Sequence, residues 1–269
     1  MIGLFFGDTE FPKAILKNVK KNKIKYLIID LSKKKVFKSN PYSHSFGIGQ
    51  FSKIFQILER KKCNKVLFAG KIDKPNFYSL KVDFKGLYYL PRIMKAAKLG
   101  DAAILKVIIN ILAKEKIKVI SSNTYNPELT LKKGFYTKAK PNKADHTFIN
   151  KGIMSLKKLN PHNHVQGLVI HDNNIVAKEK IYGTKKMLQT LTQSDDLKYI
   201  LIKFPKKKQD LRIDLPTIGL DTLKDCKKYG IKGIVLKSQQ NIFMDKIRSI
   251  NYANKNKIFI AVKWKKYLY

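Results

Sequence analysis

The segment IGLFFGDTEFPKAILKNVKKNKIKYLIID, residues 2–30, decides the fold. Ile2 to Phe6 is an apolar run too short for a helix and closed by the turn residues Gly7-Asp8-Thr9, so it predicts a buried strand. Pro12 suits the first turn of a helix, and the amphipathic run after it continues to about Lys21. Lys25 to Asp30 then gives a second apolar run. Strand, helix and strand in so short a span predict a crossover unit and a parallel sheet. The pattern continues outward. Phe51 to Arg60 places Ile54, Phe55, Ile57 and Leu58 on one helical face. Val66 to Ala69 is a strand ending at Gly70. Helices are expected over Leu87 to Lys98 and Asp101 to Glu115, with Asp101 as an N-cap after Gly100. Lys118 to Ser121 is a further short strand. The fold class is α/β, with a Rossmann-like N-terminal domain.

Periodicity lapses at Gly134 to Asp145 (GFYTKAKPNKAD), where polar and turn residues dominate. This predicts an N-terminal domain over 1–133, a short linker over 134–146 and a second α/β, catalytic domain over 147–269. Within the second domain a helix is expected over Phe148 to Leu159. A hairpin pairs Gly167–His171 with Ile175–Ala177 around Asp172-Asn173-Asn174. A helix over Thr184 to Thr192 and a strand over Tyr199 to Lys203 follow. The next helix ends at Gly230, a C′ glycine. Strands at Gly233–Leu236 and Ile258–Val262 flank a last helix near Asp245 to Asn254.

Composition narrows the function classes. The formal net charge is +37, yet all but four of the 56 basic residues are Lys. Readers of nucleic acid lean on the forked guanidinium of Arg. Here Lys is spread along the whole chain, which places it on solvated faces, and no nucleic-acid partner is expected. A positive field still favours an anionic substrate or an anionic membrane surface. Cys63 and Cys226 are far apart and form no CxxC, so two inert thiols in a reducing compartment are expected. The N-terminus lacks the basic region of a signal peptide, and no run approaches the ~20 apolar residues of a membrane span. The expectation is a cytoplasmic protein, at most in transient contact with the inner-membrane surface. A homodimer stays open.

Asp and Glu total 19, so clustered acids carry information. In Gln209 to Leu215 they alternate. If that segment is extended, Asp210, Arg212 and Asp214 share one side, with the two carboxylates ~7 Å apart. Pro216 and Thr217-Ile218-Gly219 lead into a helix whose N-terminus offers free N–H groups to a phosphate. Carboxylates, a guanidinium and a helix start together suit phosphoryl chemistry. The competing reading is an Asp–Arg ion pair that braces a domain edge. Two loops at strand ends, GDTEFP with Glu10 and AGKIDKP with Lys71 and Lys74, are further phosphate candidates. His162, His164 and His171 lack the partners of a zinc site. No GxSxG is present, which excludes that serine-hydrolase elbow.

The chain resembles the LpxI family, the UDP-2,3-diacylglucosamine pyrophosphatases of lipid A biosynthesis. The likeness runs in order through Ile48-Gly49-Gln50-Phe51, Phe68-Ala69-Gly70, Lys74-Pro75, Gly100-Asp101, Gln166-Gly167, Gly183-Thr184 and Lys203. Its most specific block is Gln209 to Gly219, QDLRIDLPTIG. The resemblance implies Mg²⁺-dependent hydrolysis of the pyrophosphate, giving UMP and 2,3-diacylglucosamine 1-phosphate, at a lipid-nucleotide site between the domains. Asp214 is then the essential carboxylate, and Glu10, Asp101, Thr184, Lys203 and Arg212 lie at the substrate cleft. Taken together, the catalytic candidates are Asp214, Arg212 and Asp210, with Asp214 and Asp210 as metal ligands. The substrate-binding candidates are Glu10, Lys71, Lys74, Asp101, Gly183, Thr184, Lys203, Gln209 and Thr217. The chain departs from the family where an acidic block becomes Tyr182-Gly183-Thr184-Lys185 and a loop Arg becomes Lys74. The alternatives are a non-catalytic lipid- or nucleotide-binding relative and a basic nucleic-acid-binding protein.

Overall fold

A computed structural model describes residues 1–163, 165–180, 182–206 and 210–263. The chain divides into two compact units, Met1–Asn126 and Pro127–Tyr269.

The first unit runs β1 (Ile2–Phe6), α1 (Phe11–Lys21), β2 (Tyr26–Asp30), β3 (Ser43–Ser45), α2 (Phe51–Arg60), β4 (Lys65–Ala69), α3 (Phe84–Ala97), α4 (Asp101–Lys114) and β5 (Lys118–Val119). All five strands are parallel, in the order β3-β2-β1-β4-β5. Chain order reverses between β1 and β4, which is where such sheets open a crevice at their carboxyl ends. Every residue of β1 is buried, as a strand covered by helices on both faces must be. Helix α3 begins three residues before the expected start. Asp83 caps it by accepting from the Gly86 N–H, and Pro91 is accommodated inside it. Asp101 is the first residue of α4 rather than its cap. Gly100, at φ 104°, holds the cap position and lets the chain turn there.

The second unit runs β6 (Gly134–Phe135), α5 (Lys143–Asn163), β7 (Gly167–His171), β8 (Asn174–Lys178), α6 (Gly183–Leu188), β9 (Ser194–Lys203), β10 (Thr217–Ile218), α7 (Leu220–Lys228), β11 (Tyr229–Lys237), β12 (Ile242–Phe243), α8 (Lys246–Lys255) and β13 (Phe259–Lys263). Its main sheet is mixed, in the order β6-β13-β11-β9-β7-β8. β9, β11 and β13 are parallel, while β7 runs against β9. Side chains alternate between two cores. Ile200 and Ile202 pack with Ile149, Ile153 and Leu156 of α5. Leu201 packs on the other face with Leu223 and Cys226 of α7 and Ala253 of α8. The β7–β8 hairpin turns at Asp172 (φ 41°) and Asn173 (φ 67°), the doubly positive φ that favours Asp and Asn in tight hairpins.

The stretch read as a linker belongs to the second unit. Gly134–Phe135 pairs antiparallel with β13. Asn142 and Asp145 cap each other reciprocally, each side chain accepting from the other's backbone N–H, at 2.8 and 3.0 Å. This reciprocal cap starts α5 at Lys143, so polar residues that resemble a linker are the start of a helix.

Both cysteines are free and buried. Burial pushes the Cys226 and Cys63 thiols up, which leaves both inert at neutral pH. Among the described residues no helix is long and apolar enough to cross a membrane.

Candidate functional site

In the second unit the polar residues gather at one edge of the sheet, at the carboxyl ends of β8 and β9. Lys203 closes β9 and pairs in register with Gly167, the first residue of β7. Its ammonium is almost sealed from solvent, as is the carboxylate of Glu179 just beyond β8. The two form an ion pair, with Nζ 3.3 Å from Oε1 and 3.4 Å from Oε2. Lys203 also donates to the Thr184 hydroxyl. That hydroxyl in turn donates to Glu179 Oε1 at 3.2 Å, and Gln166 Nε2 reaches the same oxygen at 3.4 Å. Buried charge survives only when paired and hydrogen-bonded in this way. Asn241 adds a bond from its side-chain amide to the Lys203 carbonyl at 3.0 Å.

Burial pushes the Lys203 ammonium below the usual lysine range, against the opposing pull of Glu179 and, more weakly, of Asp214. Asp214 is thus near enough to act on this lysine electrostatically. Gln166 Oε1 is buried without a hydrogen-bond partner. A buried acceptor of this kind asks for a donor that the described residues do not supply.

Gly167 is what brings Glu179 so close. A Cβ added there would sit 2.5 Å from Glu179 Oε2. Glu179 was not singled out in the sequence, where it stands between Lys178 and Lys180. A signal existed: Ala177 and Glu179 share one face by strand alternation, and both are buried. An acid on the buried side of a strand is the anomaly to look for.

The Asp210 to Asp214 segment is a turn, which overturns the extended reading. The Ile213 and Asp214 N–H groups both bond the Asp210 carbonyl, at 3.1 and 3.0 Å. Asp210 Oδ1 accepts from the Arg212 N–H at 3.0 Å and from Nε at 2.9 Å. Its Oδ2 accepts from Arg212 Nη2 at 2.6 Å. Short Asp side chains compete with strand pairing in this way and fold the chain on itself. The Arg212 guanidinium holds the Asp210 carboxyl below its usual range. Both Asp210 oxygens are therefore committed to Arg212. Thr217 is exposed in β10, its hydroxyl 3.4 Å from the Leu215 carbonyl. Gly183 opens α6 at φ 81°. Gln209 and His164 lie outside the described residues. Among those described, no three His, Cys, Asp or Glu side chains converge as a metal cage.

In the first unit, the two candidate loops meet at the switch point. Asp8 and Lys71 bond each other's backbones, both at 2.8 Å. Only glycine fits on either side of this bridge. A Cβ on Gly7 would collide with the Lys71 carbonyl, and one on Gly70 would lie 2.5 Å from the Asp8 carbonyl. Lys33 and Lys71 flank Asp73 at 2.7 and 2.9 Å. Together they lower its carboxyl to about 2, the bond to Lys33 contributing most. Lys74 donates to the Ala97 carbonyl at the end of α3, at 3.0 Å. Glu10 caps α1 by position and is paired at 2.8 Å with Lys13, in the open. Asp101 is exposed on the first turn of α4.

The family model described as the LpxI N-terminal domain matches residues 1–129. That of the LpxI C-terminal domain matches residues 132–261. A similar protein is the UDP-2,3-diacylglucosamine pyrophosphatase LpxI of Caulobacter vibrioides. It is 30% identical over 222 residues, which cover 80% of this chain and 79% of that protein.

Proposed function

This chain belongs to the LpxI family, and from that membership we propose that it hydrolyses the pyrophosphate of UDP-2,3-diacylglucosamine in lipid A biosynthesis. The products are UMP and 2,3-diacylglucosamine 1-phosphate. The observation that carries the reading to particular residues is the buried Lys203–Glu179–Thr184 cluster, with Asp214 acting on Lys203. Cleaving a phosphoanhydride needs a water aimed at one phosphorus and positive charge around the oxygens that leave.

In this reading Asp214 orients the attacking water and takes up its proton. Lys203 is a positioning residue. Its three donor bonds go to Glu179 and Thr184, so it fixes the Thr184 hydroxyl and β9 beneath the reacting group. Gln166 Oε1 is the acceptor left for a hydroxyl or amide N–H of the substrate. Arg212, braced by Asp210, supplies a guanidinium to the pyrophosphate.

Mg²⁺ belongs to this proposal as an ion that arrives on the pyrophosphate. The described donors suit no protein-held cage, and Asp210 is engaged by Arg212. Mg²⁺ commonly needs only one or two carboxylates beside substrate phosphates, and the family resemblance makes Asp214 the carboxylate for it. It would neutralise charge on the pyrophosphate oxygens.

The test is UMP release by the purified protein, with Mg²⁺ and with EDTA. The wild type should turn over with Mg²⁺, and Asp214→Ala should abolish turnover while keeping its circular dichroism. Undiminished turnover in that variant overturns the assignment of Asp214. Binding of substrate without turnover by the wild type would favour a non-catalytic relative, a reading that Tyr182 and Lys185, at family acid positions, also support.

A further inference from the structure

Helix α3 has two apolar faces, and the fold uses one. Gly86, Tyr89, Ile93, Ala96 and Ala97 are buried. On the other side Phe84, Leu87, Tyr88 and Pro91 follow the i, i+3, i+4, i+7 spacing of a single stripe, and all four are exposed. Phe84 keeps 85% of its surface in solvent, and Leu87 and Tyr88 each keep 62%. Tyr78 before the helix and Leu99 after it are also open, at 95% and 78%. Single exposed apolar residues are ordinary, but a continuous stripe of large ones marks an interaction surface.

The charges around the stripe narrow the occupant. Arg92 and Lys95 continue the same stripe, Lys81 precedes the helix and Lys98 follows it, all exposed. Arg92 lies over the Tyr88 ring at 5.7 Å. Lys85 is held by Glu115 and is not counted. From Phe84 to Gly100 the chain has no Asp or Glu. Asp83 beside Phe84 is engaged in capping α3, and the exposed Asp101 lies beyond Gly100. An apolar, aromatic stripe with a mainly cationic fringe is the makeup of a helix that lies in a bilayer interface beside anionic headgroups.

We propose that the Phe84–Leu87–Tyr88 face of α3, with Arg92, Lys95, Lys81 and Lys98 around it, docks the protein on the surface of an anionic bilayer. The preference for a bilayer over a protein partner rests on the lipid substrate proposed above; the surface itself does not. Rings enter the headgroup boundary, and the lysines and Arg92 meet the phosphates. The net charge of +37 adds long-range attraction.

The test is co-sedimentation of the full chain with vesicles, in the absence of substrate. Wild type should sediment with phosphatidylglycerol-containing vesicles at low salt, far less with pure phosphatidylcholine, and come off in high salt. The variant Phe84→Ser/Leu87→Ser/Tyr88→Ser should bind about tenfold more weakly. A second variant, Arg92→Ala/Lys95→Ala, should lose the preference for anionic vesicles. Both should release UMP from detergent-dispersed substrate at the wild-type rate. Failure of wild-type turnover would count against the proposed function and leave the vesicle result standing. Equal binding of the triple variant and wild type, or equal binding to neutral vesicles, overturns the docking surface. So does a wild-type dimer that the triple variant dissolves without any change in vesicle binding, since the stripe would then belong to a second copy.

Discussion

Lys203 and Glu179 face each other at 3.3 Å with only 5% and 4% of their side chains open to solvent. Such a pair is asymmetric in its consequences. Removing one partner strands the other charge and costs about 3–5 kcal/mol, while replacing both by neutral groups of like volume is close to neutral. Glu179→Gln should therefore destabilise the protein strongly, and Glu179→Gln/Lys203→Met should recover most of the loss in denaturant unfolding. Turnover should recover in neither. A double variant as unstable as the single one would show that the two side chains are not coupled.

The same lysine gives a pH signature. Burial lowers its folded pKa beneath the unfolded value of 10.5. Below the folded pKa the group is charged in both states and its burial weighs against folding. As pH rises from the folded pKa toward 10.5 the folded state sheds its proton first, and that penalty fades. The unfolding free energy of wild type relative to the double variant should thus rise with pH in this alkaline window. A falling difference would mean that the folded pKa is raised instead.

Asp73 should behave in the same sense at the acid end of the pH scale. With its carboxyl lowered to about 2 by Lys33 and Lys71, its contribution is present above the ordinary carboxylate pKa and lost as pH falls through about 2. Its carboxyl resonance should titrate there, and Lys33→Ala should move the midpoint back up. Because the group is partly open to solvent, added salt should also move it up. A midpoint insensitive to both changes would exclude the two lysines as its cause.

What is legible in the sequence follows from where local chemistry is unambiguous. Phe51 to Arg60 was read with its bounds, because its apolar spacing is helical throughout. The β7–β8 turn was read because Asp172 and Asn173 tolerate positive φ. β3 is Ser-His-Ser and β10 and β12 have two residues each, too short for alternation to appear. Thr184 and Lys203 entered the site through the family resemblance and not through any pattern of their own. Glu179 was hidden because an acid among lysines looks solvated until its strand face is known. Asp210 misled for another reason: alternation in Asp-Leu-Arg-Ile-Asp is genuine, but the Asp210 side chain captures Arg212 and closes a turn.

Gly167 offers a test of the site through backbone space alone. Glu179 Oε2 would lie 2.5 Å from an added Cβ, and the carboxylate has little room to retreat in a buried site. Gly167→Ala should cost about 1–3 kcal/mol from crowding, and turnover should fall because Lys203 and Thr184 lose their fixed partner. Gly47→Ala, where the nearest atoms belong to the half-buried Gln50 side chain 3.5 Å away, serves as control and should change little. Equal turnover in both would remove Glu179 from the site.

Asp210 and Asp214 stand four residues apart in one turn, yet their variants should differ in kind. Both Asp210 oxygens accept from Arg212, so Asp210→Asn should weaken the fork and release the guanidinium. The expected result is a higher KM with the Mg²⁺ concentration for half-maximal rate unchanged. Asp214 has the opposite assignment, as the carboxylate for the ion and the water. Asp214→Asn should lower kcat steeply, and any residual rate should require more Mg²⁺. Arg212→Lys keeps the charge but loses the fork, and should match Asp210→Asn. The experiment is a Mg²⁺ titration of UMP release in all three variants. If Asp210→Asn shifts the Mg²⁺ dependence as Asp214→Asn does, then Asp210 leaves Arg212 for the ion when substrate binds, and the turn opens during the reaction.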